Sequence, residues 1–192
     1  MKTLFPVYPD FPEGFFYYPD FLNEGEEIDL SKEIETIELH NFSFQGFRAN
    51  RKVASFGYDY SFENGSLSKG KDIPEVFNSF IERVAKIASV ANNKFAELLI
   101  TKYPVGSVIN WHRDAPPFDL IAGISLLSDC TFKLRPFEKA KQNRKSVISF
   151  PVERRSLYII KGAARNEWQH SISPVKQIRY SITLRTLKSY AI

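Results

Sequence analysis

The sequence predicts a mainly β fold with flanking helices (α+β class), in which a double-stranded β-helix, or jelly roll, begins at about residue 95. From that residue onward, short apolar runs are separated by turn residues and no helical period recurs. Before it, two stretches do show a helical pattern. A length of 192 residues with 43% hydrophobic content suits one core, so a single domain is expected over 1–192.

Eight apolar runs are the predicted strands of the jelly-roll core. They cover 96–103, 107–112, 120–127, 131–136, 146–150, 156–160, 168–173 and 178–187. Short strands at this spacing are typical of a β-sandwich or barrel. We favour the jelly roll because its open end can gather ligands from separate strands. The polar stretch 138–146 is expected to form an exposed hairpin loop.

The residues before 95 are predicted to form an arm, two helices and an extended segment. Aromatic residues and prolines crowd 1–23, which favours an extended arm laid over the core by its rings. Residues 23–38 are predicted as a helix capped by Asn23, and 75–91 as an amphipathic helix opened by a proline. The segment 41–62 is either two strands or a strand with an irregular loop. The expected apolar positions are Ile28, Ile34 and Ile37 in the first helix and Val76, Phe77, Phe80, Ile81, Val84, Ile87 and Ala88 in the second.

The charge balance is mildly basic, with 26 Lys and Arg residues against 22 Asp and Glu residues and a net charge of +4. The bases gather at 133–145 and at 154–165. A basic patch near a functional site would attract a polyanion such as nucleic acid. A solvated, lysine-rich loop explains the same pattern equally well, so both interpretations stay open.

Cysteine content and hydropathy indicate a soluble, cytoplasmic protein. A single cysteine, Cys130, excludes an internal disulfide, which fits a reducing compartment, and we expect it to be a small buried hydrophobe. No apolar run approaches the roughly 18 residues of a membrane span, and residues 1–25 lack the pattern of a secretory signal. We therefore expect no membrane contact.

The stretch Asn110–Asp114 carries the strongest chemical signal. In an extended strand, His112 and Asp114 project to the same side, about 7 Å apart along the chain. If a downstream strand brings His170 to the same point, two imidazoles and one carboxylate would occupy one face of a metal. This is the facial triad of non-haem Fe(II) oxygenases. The H-x-D tripeptide alone is a weak motif and needs this context.

The last predicted strand has an unusual polar face. Alternation places Arg179, Ser181, Thr183 and Arg185 on one side. Guanidinium groups inside a barrel need anionic partners, and a dicarboxylate would satisfy them. The two arginine α-carbons are about 20 Å apart, so they cannot clamp one carboxylate. One arginine should hold the distal carboxylate, while the other works at the metal end or on an acidic neighbour such as Asp114; surface ion pairs are the alternative.

Three blocks of sequence together resemble the AlkB-type family of Fe(II)- and 2-oxoglutarate-dependent dioxygenases. They are H-R-D at 112–114, S-L-Y-I-I-K-G-A-A-R-N-E-W-Q-H-S-I at 156–172 and R-Y-S-I-T-L-R at 179–185. Upstream, Tyr18–Leu22 is similar to the family's entry motif, and Arg51–Lys52 with Phe56–Tyr60 is similar to its lid over the substrate. The resemblance implies that 1–94 supplies the arm, helices and substrate lid, and that 95–192 is the catalytic core.

The resemblance also implies the cofactors and the cosubstrate contacts. Fe(II) would be held by His112, Asp114 and His170, with 2-oxoglutarate as cosubstrate and O2 as oxidant. The residues assigned to 2-oxoglutarate are Arg179 at the distal carboxylate, Arg185 at the metal-proximal position, and Tyr103, Thr101 and Ser181 as hydrogen-bonding groups. Thr101 and Ser181 stand where the family often has asparagine, which shortens their reach. No side chain is assigned as a general acid or base.

For the reaction, the resemblance implies oxidative demethylation of N-alkylated nucleobases in DNA or RNA, possibly single-stranded, with release of succinate, CO2 and formaldehyde. The residues implied to contact substrate are Tyr58, Tyr60, Phe56, Arg51 and Trp111, although core packing explains aromatic clusters equally well. Some relatives carry acids after the H-x-D, whereas this chain has Ala115–Phe118, which indicates a different base, RNA, or a protein substrate.

Two alternatives stay open from the sequence. The same oxidative chemistry could act on a protein or a small molecule. The chain could also be a non-catalytic jelly-roll binding module with an incidental H-x-D. No partner protein is evident.

Overall fold

A computed structural model of the chain describes residues 8–44 and 47–191. In this part of the chain there are twelve strands and three α-helices. The strands are β1 Phe15–Tyr18, β2 His40–Phe44, β3 Phe47–Ser61, β4 Ser66–Lys69, β5 Phe95–Tyr103, β6 Ile109–His112, β7 Phe118–Leu126, β8 Cys130–Pro136, β9 Ile148–Val152, β10 Leu157–Ile160, β11 Trp168–Ile172 and β12 Arg179–Leu187. The helices are α1 Glu24–Thr36, α2 Asn78–Ala88 and α3 Gly162–Glu167.

The strands form two antiparallel sheets. The major sheet has the order β1-β10-β7-β12-β5-β3-β2, with β4 paired to β3, and the minor sheet has the order β6-β11-β8-β9. All eight strands predicted for the core are present, with small shifts of their ends; the run 107–112, for example, becomes Ile109–His112. The mainly β fold with a jelly-roll core is thus confirmed.

Two hydrophobic cores lie on opposite faces of the major sheet. On one face, Tyr180, Ile182 and Leu184 of β12 belong to a core that includes Ile34 of α1 and Val84 of α2. The other core fills the space between the sheets, and its members include Phe15, Ile121, Phe132, Phe150, Tyr158 and Ile172. Because side chains alternate along a strand, the odd-numbered residues of β12 point towards the minor sheet. The polar face predicted for this strand therefore lies in the interior.

Helix α1 begins as predicted but buries a different set of side chains. The Asn23 side chain accepts a hydrogen bond from the Glu26 backbone, and Glu26 returns one to the Asn23 backbone. Ile28, expected on the apolar face, is 52% exposed, whereas Glu27 is 1% exposed. Glu27 is buried because it accepts the Leu127 backbone N–H at 2.8 Å and pairs with Arg154. A tertiary ion pair thus overrides the weak apolar spacing of this helix.

The second helix is shorter than predicted. Residues Glu75–Phe77 form a 3₁₀ turn, α2 proper starts at Asn78, and it ends where Ser89 adopts a left-handed conformation (φ 59°). Val76 lies in the 3₁₀ turn and is 48% exposed, so its predicted burial is wrong. The tighter turn aims Val76 away from the face that Phe77, Ile81 and Val84 bury.

The arm and the segment before α2 are more regular than the sequence indicated. Within the predicted arm, Phe15–Tyr18 pairs with β10 as an edge strand, and the Phe11 and Phe15 rings pack on Phe150 at 4.7 and 5.5 Å between centroids. Residues 1–7 of that arm lie outside the described residues. Of the two interpretations of 41–62, the structure has the two strands, β2 and β3.

Two features of the core segment also differ from or refine the prediction. Helix α3 was not expected, because its six residues, GAARNE, are too few to show a helical period. The predicted loop 138–146 does connect the hairpin of β8 and β9, and it contains two 3₁₀ turns, Lys139–Lys141 and Arg144–Ser146. In the described ranges no helix is both long and apolar enough to cross a membrane.

Gly123 of β7 leaves room for the ring of Tyr158, which lies opposite it on β10. A Cβ at position 123 would lie 2.2 Å from Tyr158 Cζ. We expect Gly123→Ala to lower the free energy of unfolding by about 1–3 kcal/mol, as overpacked cores do. Urea denaturation measures this change. Gly70→Ala, whose Cβ would only reach ordinary contact at 3.4 Å from the Gly57 carbonyl oxygen, is the matched control. Equal midpoints for both variants would contradict the prediction.

Candidate metal centre

Strands β6 and β11 bring the two histidines together. They pair antiparallel with His112 opposite His170, and the two imidazole rings lie 4.2 Å apart between centroids. Asp114 follows β6 by two residues. One ligand atom from each of these three residues lies within 4.8 Å of the others. The structure therefore satisfies the geometric condition on His170, since all three side chains converge on one point.

Each imidazole is fixed with a nitrogen free to bind a metal. The Nδ1 atom of His112 lies 2.9 Å from the Asn110 carbonyl oxygen, so Nδ1–H donates to that oxygen and Nε2 is the ligand atom. His170 stacks on Phe132, with 5.4 Å between ring centroids and 7° between planes. Burial and the neighbouring His112 lower the pKa of His170 to about 3. The imidazole of His170 is thus neutral at physiological pH, which is the form that binds metals.

One carboxylate oxygen of Asp114 accepts hydrogen bonds, and the other has no donor among the described residues. Oδ1 accepts hydrogen bonds from Arg185 Nε and Nη2 at 2.9 and 2.6 Å. Oδ2 is buried without a hydrogen-bond donor, 3.5 Å from His170 Nε2. Burial alone would raise the pKa of Asp114, but Arg185 and the two histidines hold it below its usual range. A buried carboxylate oxygen needs a partner, and a divalent cation beside two imidazoles supplies it.

Arg185 contacts Asp114. The sequence left two roles open for this arginine, at the metal end or on an acidic neighbour, and the contact corresponds to the second. Its Nη1 also pairs with Glu97, which lies opposite it on β5 and is itself buried. Burial raises the pKa of Glu97, and the Arg185 charge opposes this rise. Ser55 Oγ of β3 donates to Glu97 Oε1 at 3.4 Å. Glu97 was not predicted, because its role depends on the register between β5 and β12.

Arg179 is fully buried with its terminal nitrogens unpaired. Its Nε donates to Ser125 Oγ at 3.0 Å, and its guanidinium carbon lies 4.9 Å from the centre of the Tyr103 ring. Nη1 and Nη2 have no hydrogen-bond acceptor among the described residues. Such a fork matches the two oxygens of a carboxylate. This is the geometry expected of the role that the resemblance implies for this arginine, at the far carboxylate of 2-oxoglutarate.

The other residues assigned to the cosubstrate lie on the same two strands. Arg179 pairs with Tyr103 and Ser181 pairs with Thr101 across β12 and β5. The Tyr103 hydroxyl and Ser181 Oγ lie 3.4 Å apart. All four are buried. The cross-strand register thus gathers these four side chains beside one another.

Arg165 of α3 fixes the loop that carries Asp114. Its Nη2 donates to the carbonyl oxygens of Asp114, Ala115 and Phe118 at 3.1, 2.8 and 3.0 Å. The side chain is 5% exposed. Sequence reasoning missed this residue, since nothing in the local pattern of a six-residue helix links it to a loop about 50 residues earlier.

A cleft of 1320 Å³ opens over the three candidate ligands. Among the residues assigned to substrate or cosubstrate, the cleft is lined by Arg51, Phe56, Tyr60, Thr101, Tyr103, Trp111 and Arg185. Tyr58 is not among its lining residues in the described part of the chain, and Arg179 is buried beside Tyr103. The cleft is large enough for a cosubstrate together with a second organic molecule.

Gly57 divides the aromatic residues of the predicted lid. It has a left-handed backbone (φ 81°), and a Cβ there would lie 2.1 Å from the Ala96 carbonyl oxygen. Up to Gly57, β3 pairs with β5; from Tyr58 onward it pairs with β4. Phe56 packs in the core with residues of α1 and α2 and borders the cleft with only 9% of its surface exposed, whereas Tyr60 lies in the part of the cleft wall that follows the glycine.

Two further residues assigned to substrate are held by stacking contacts. The Arg51 guanidinium lies 4.1 Å from the centre of the Phe42 ring, and both side chains line the cleft. The Arg135 guanidinium lies 4.4 Å from the centre of the Trp111 ring. Both contacts fix a flat group at the edge of the cleft.

Comparison with known proteins identifies the class. Residues 14–185 match the family model of the 2OG-Fe(II) oxygenase superfamily. The chain belongs to this superfamily, and it is a 2-oxoglutarate-dependent oxygenase that uses Fe(II) and O2. The triad and the arginine fit these cofactors, and the match favours an oxygenase over a non-catalytic binding module.

Within that class, the chain is of the AlkB type. It is 28% identical over 172 residues to the mouse protein named tRNA (carboxymethyluridine(34)-5-O)-methyltransferase ALKBH8, covering 86% of this chain and 25% of the mouse protein. The Macaca fascicularis protein of the same name is 25% identical over 169 residues, covering 84% and 24%. The chain thus spans about a quarter of the length of these curated relatives.

Solved structures confirm the fold. OsALKBH1 superposes with a TM-score of 0.74 at 14% identity, covering 92% of this chain and 98% of that one. A Pseudomonas putida prolyl-4-hydroxylase superposes with a TM-score of 0.64 at 16% identity, covering 91% and 93%. The fold of this chain is therefore shared with both of these proteins.

Proposed function

We propose that the chain removes alkyl groups from the bases of nucleic acid by oxidative demethylation. The observation that carries this proposal is the cleft over the ligand triad, whose wall combines aromatic and arginine side chains, including Arg51, Tyr60 and Trp111. Aromatic faces and guanidinium planes are the groups that hold a base turned out of its stack. The curated relatives carry names of tRNA-modifying enzymes, which supports a nucleic acid substrate.

The chain's own residues hold and orient the reactants. Bound together, the metal, 2-oxoglutarate and oxygen would supply the oxidant for a C–H bond, with succinate and CO2 as products; a hydroxylated N-methyl group then falls apart into formaldehyde and the free base. His112, Asp114 and His170 would hold the metal. Arg185 donates to Asp114 Oδ1, which would leave Oδ2 available to hold the metal. Arg179 would anchor the far carboxylate of the cosubstrate.

The cleft also supplies acidic groups that could recognise a base. Ala115–Phe118, immediately after the H-x-D, contain no acid, but Asp59 of β3 and Glu97 of β5 line the cleft. Glu97 is engaged by Arg185, whereas Asp59 is exposed. Asp59 is therefore the carboxylate that would accept a hydrogen bond from the amine of a bound base.

Formaldehyde release from methylated oligonucleotides tests the proposed function. Single-stranded and duplex DNA and RNA carrying N-methylated bases are each incubated with the Fe(II)-loaded protein, 2-oxoglutarate and oxygen. We expect at least one of them to release formaldehyde in step with succinate, and the same strands without methyl groups to release none. Succinate production without formaldehyde from any strand would contradict the proposal and favour a protein or small-molecule substrate.

A further inference from the structure

The outer face of the minor sheet carries a row of flat and basic side chains. Alternation along β8 buries Phe132 and Leu134 between the sheets and turns Lys133 and Arg135 outward. On β11, His170 faces the other two candidate ligands, and its neighbour Gln169 lies on the outer face beside Arg135. This surface belongs neither to the ligand triad nor to the cosubstrate pocket.

Two guanidinium groups on this surface are held flat against rings. Arg135 lies 4.4 Å from the centre of the Trp111 ring, and its Nε donates to Gln169 Oε1 at 2.9 Å. Arg113 lies 3.7 Å from the centre of the Phe137 ring, and its Nη1 donates to the Asn166 carbonyl oxygen at 2.7 Å. A stacked guanidinium keeps its charge and several N–H donors available at its rim.

The charge on this row is not neutralised internally. Within the described ranges, Arg113, Lys133 and Arg135 form no ion pair with a carboxylate, although other arginines of the chain do. The loop from β8 to β9 continues the row with further bases, Lys139, Lys141, Arg144 and Lys145, of which Lys141 is paired with Glu138. The alternative interpretation, a solvated loop, does not explain why the guanidinium groups of Arg113 and Arg135 are held against aromatic rings.

The row is continuous with the cleft. Trp111 and Arg113 line the cleft, and their contacts with Arg135 and Phe137 lead directly to the β8–β9 loop. We name this surface, comprising Trp111, Arg113, Lys133, Arg135, Phe137 and Lys145, the outer strip. A polymer with one unit in the cleft would therefore meet the outer strip with its adjacent units.

We propose that the outer strip binds the backbone of a single-stranded nucleic acid that enters the cleft by one base. This inference rests on the proposed function, since it assumes that the cleft takes a base. Positive groups that follow a backbone, interleaved with aromatic faces, are the features of single-strand binding surfaces. A single strand also presents a base without the cost of unpairing it.

Fluorescence anisotropy with an unmethylated probe tests the strip without requiring catalysis. The probe is a labelled single strand of about 12 thymidines or uridines, within the range of single-strand site sizes. The strip variant is Lys133→Gln, Arg135→Gln, Lys145→Gln. The control variant is Lys32→Gln, Lys86→Gln, Lys94→Gln, which removes the same charge from exposed lysines of α1, α2 and the turn before β5.

We expect the strip variant to bind the probe about tenfold more weakly than wild type, with a shallower dependence on salt between about 50 and 200 mM. Each lost phosphate contact should reduce the slope of log K against log salt by about 0.7. The control variant should match wild type, and a probe of about three nucleotides should be affected less by the strip changes than the long one.

An equal loss of probe affinity in the strip and control variants, or no loss in either, would overturn the proposal. Tighter binding of wild type to a duplex than to a single strand would also overturn it. These outcomes are independent of the demethylation assay. If no methylated strand releases formaldehyde but the outer strip still binds single strands selectively, the proposed demethylation is wrong and the proposed binding surface stands. If formaldehyde is released while the strip variant binds the probe as wild type does, only the proposed binding surface is wrong.

Discussion

Replacing Arg179 with leucine will weaken 2-oxoglutarate binding by about 100-fold or more and leave the affinity for the metal nearly unchanged. The two terminal nitrogens of Arg179 are buried and have no hydrogen-bond partner among residues 8–44 and 47–191, and its Nε donates to Ser125 and to none of the three candidate ligands. Hydrogen bonds to charged groups contribute about 1.5–3 kcal/mol each, and two of them would be lost. Calorimetric titration of 2-oxoglutarate into the Mn(II)-loaded protein measures the effect.

Arg179→Lys is the matched variant, because it keeps the charge but removes the two-pronged geometry. Its affinity for 2-oxoglutarate should fall between those of wild type and Arg179→Leu. Mn(II) affinity, followed by the resonance of free Mn(II), is the internal control. Equal losses of metal and cosubstrate binding in Arg179→Leu would show that this arginine acts on the metal site instead.

Replacing Asp114 with asparagine will lower the affinity for Mn(II) or Fe(II) by more than about 100-fold, beyond the range typical of outer-shell changes. The substitution keeps the shape of the side chain but removes the only carboxylate of the triad. It also leaves Arg185 with Glu97 as its single anionic partner. Both changes make the site more positive and so oppose a cation.

Asp119→Asn is the control for this prediction, since Asp119 is an exposed aspartate on the same loop-and-strand segment. It should bind metal as wild type does. Far-ultraviolet circular dichroism establishes that each variant is folded. If a folded Asp114→Asn protein kept full metal affinity, the triad would not be the metal site.

Much of the fold and the centre of the site could be predicted because they are encoded locally. Alternating and continuous apolar runs located the eight core strands, and the two-residue spacing of His112 and Asp114 put both on one face. Alternation put the two arginines of β12 on one polar face, and surface ion pairs stayed open as the alternative to anionic partners inside the barrel. The structure brings these groups together as the spacing required, with His170 directly across from His112.

The parts that could not be predicted depend on contacts between distant segments. Glu97 meets Arg185 only through the register of β5 with β12, and Ser125 meets Arg179 only because β7 lies on the other side of that strand. The burial of Glu27 depends on Arg154, more than a hundred residues away. In the lid, a left-handed glycine ends the pairing of β3 with β5 between Phe56 and Tyr60, so that Phe56 packs in the core while both rings border the cleft, which strand alternation alone would not reveal.

The charges inside the barrel are distributed in a way that has a consequence for how the ligands bind. Arg185 lies between the carboxylates of Asp114 and Glu97, whereas Arg179 is fully buried and forms no ion pair with a carboxylate among the described residues. A divalent cation alone, or a dianion alone, would leave uncompensated charge in a medium of low polarity. Together they cancel, so each must strengthen the binding of the other by the same factor. We therefore expect Fe(II) to bind more tightly when 2-oxoglutarate is present.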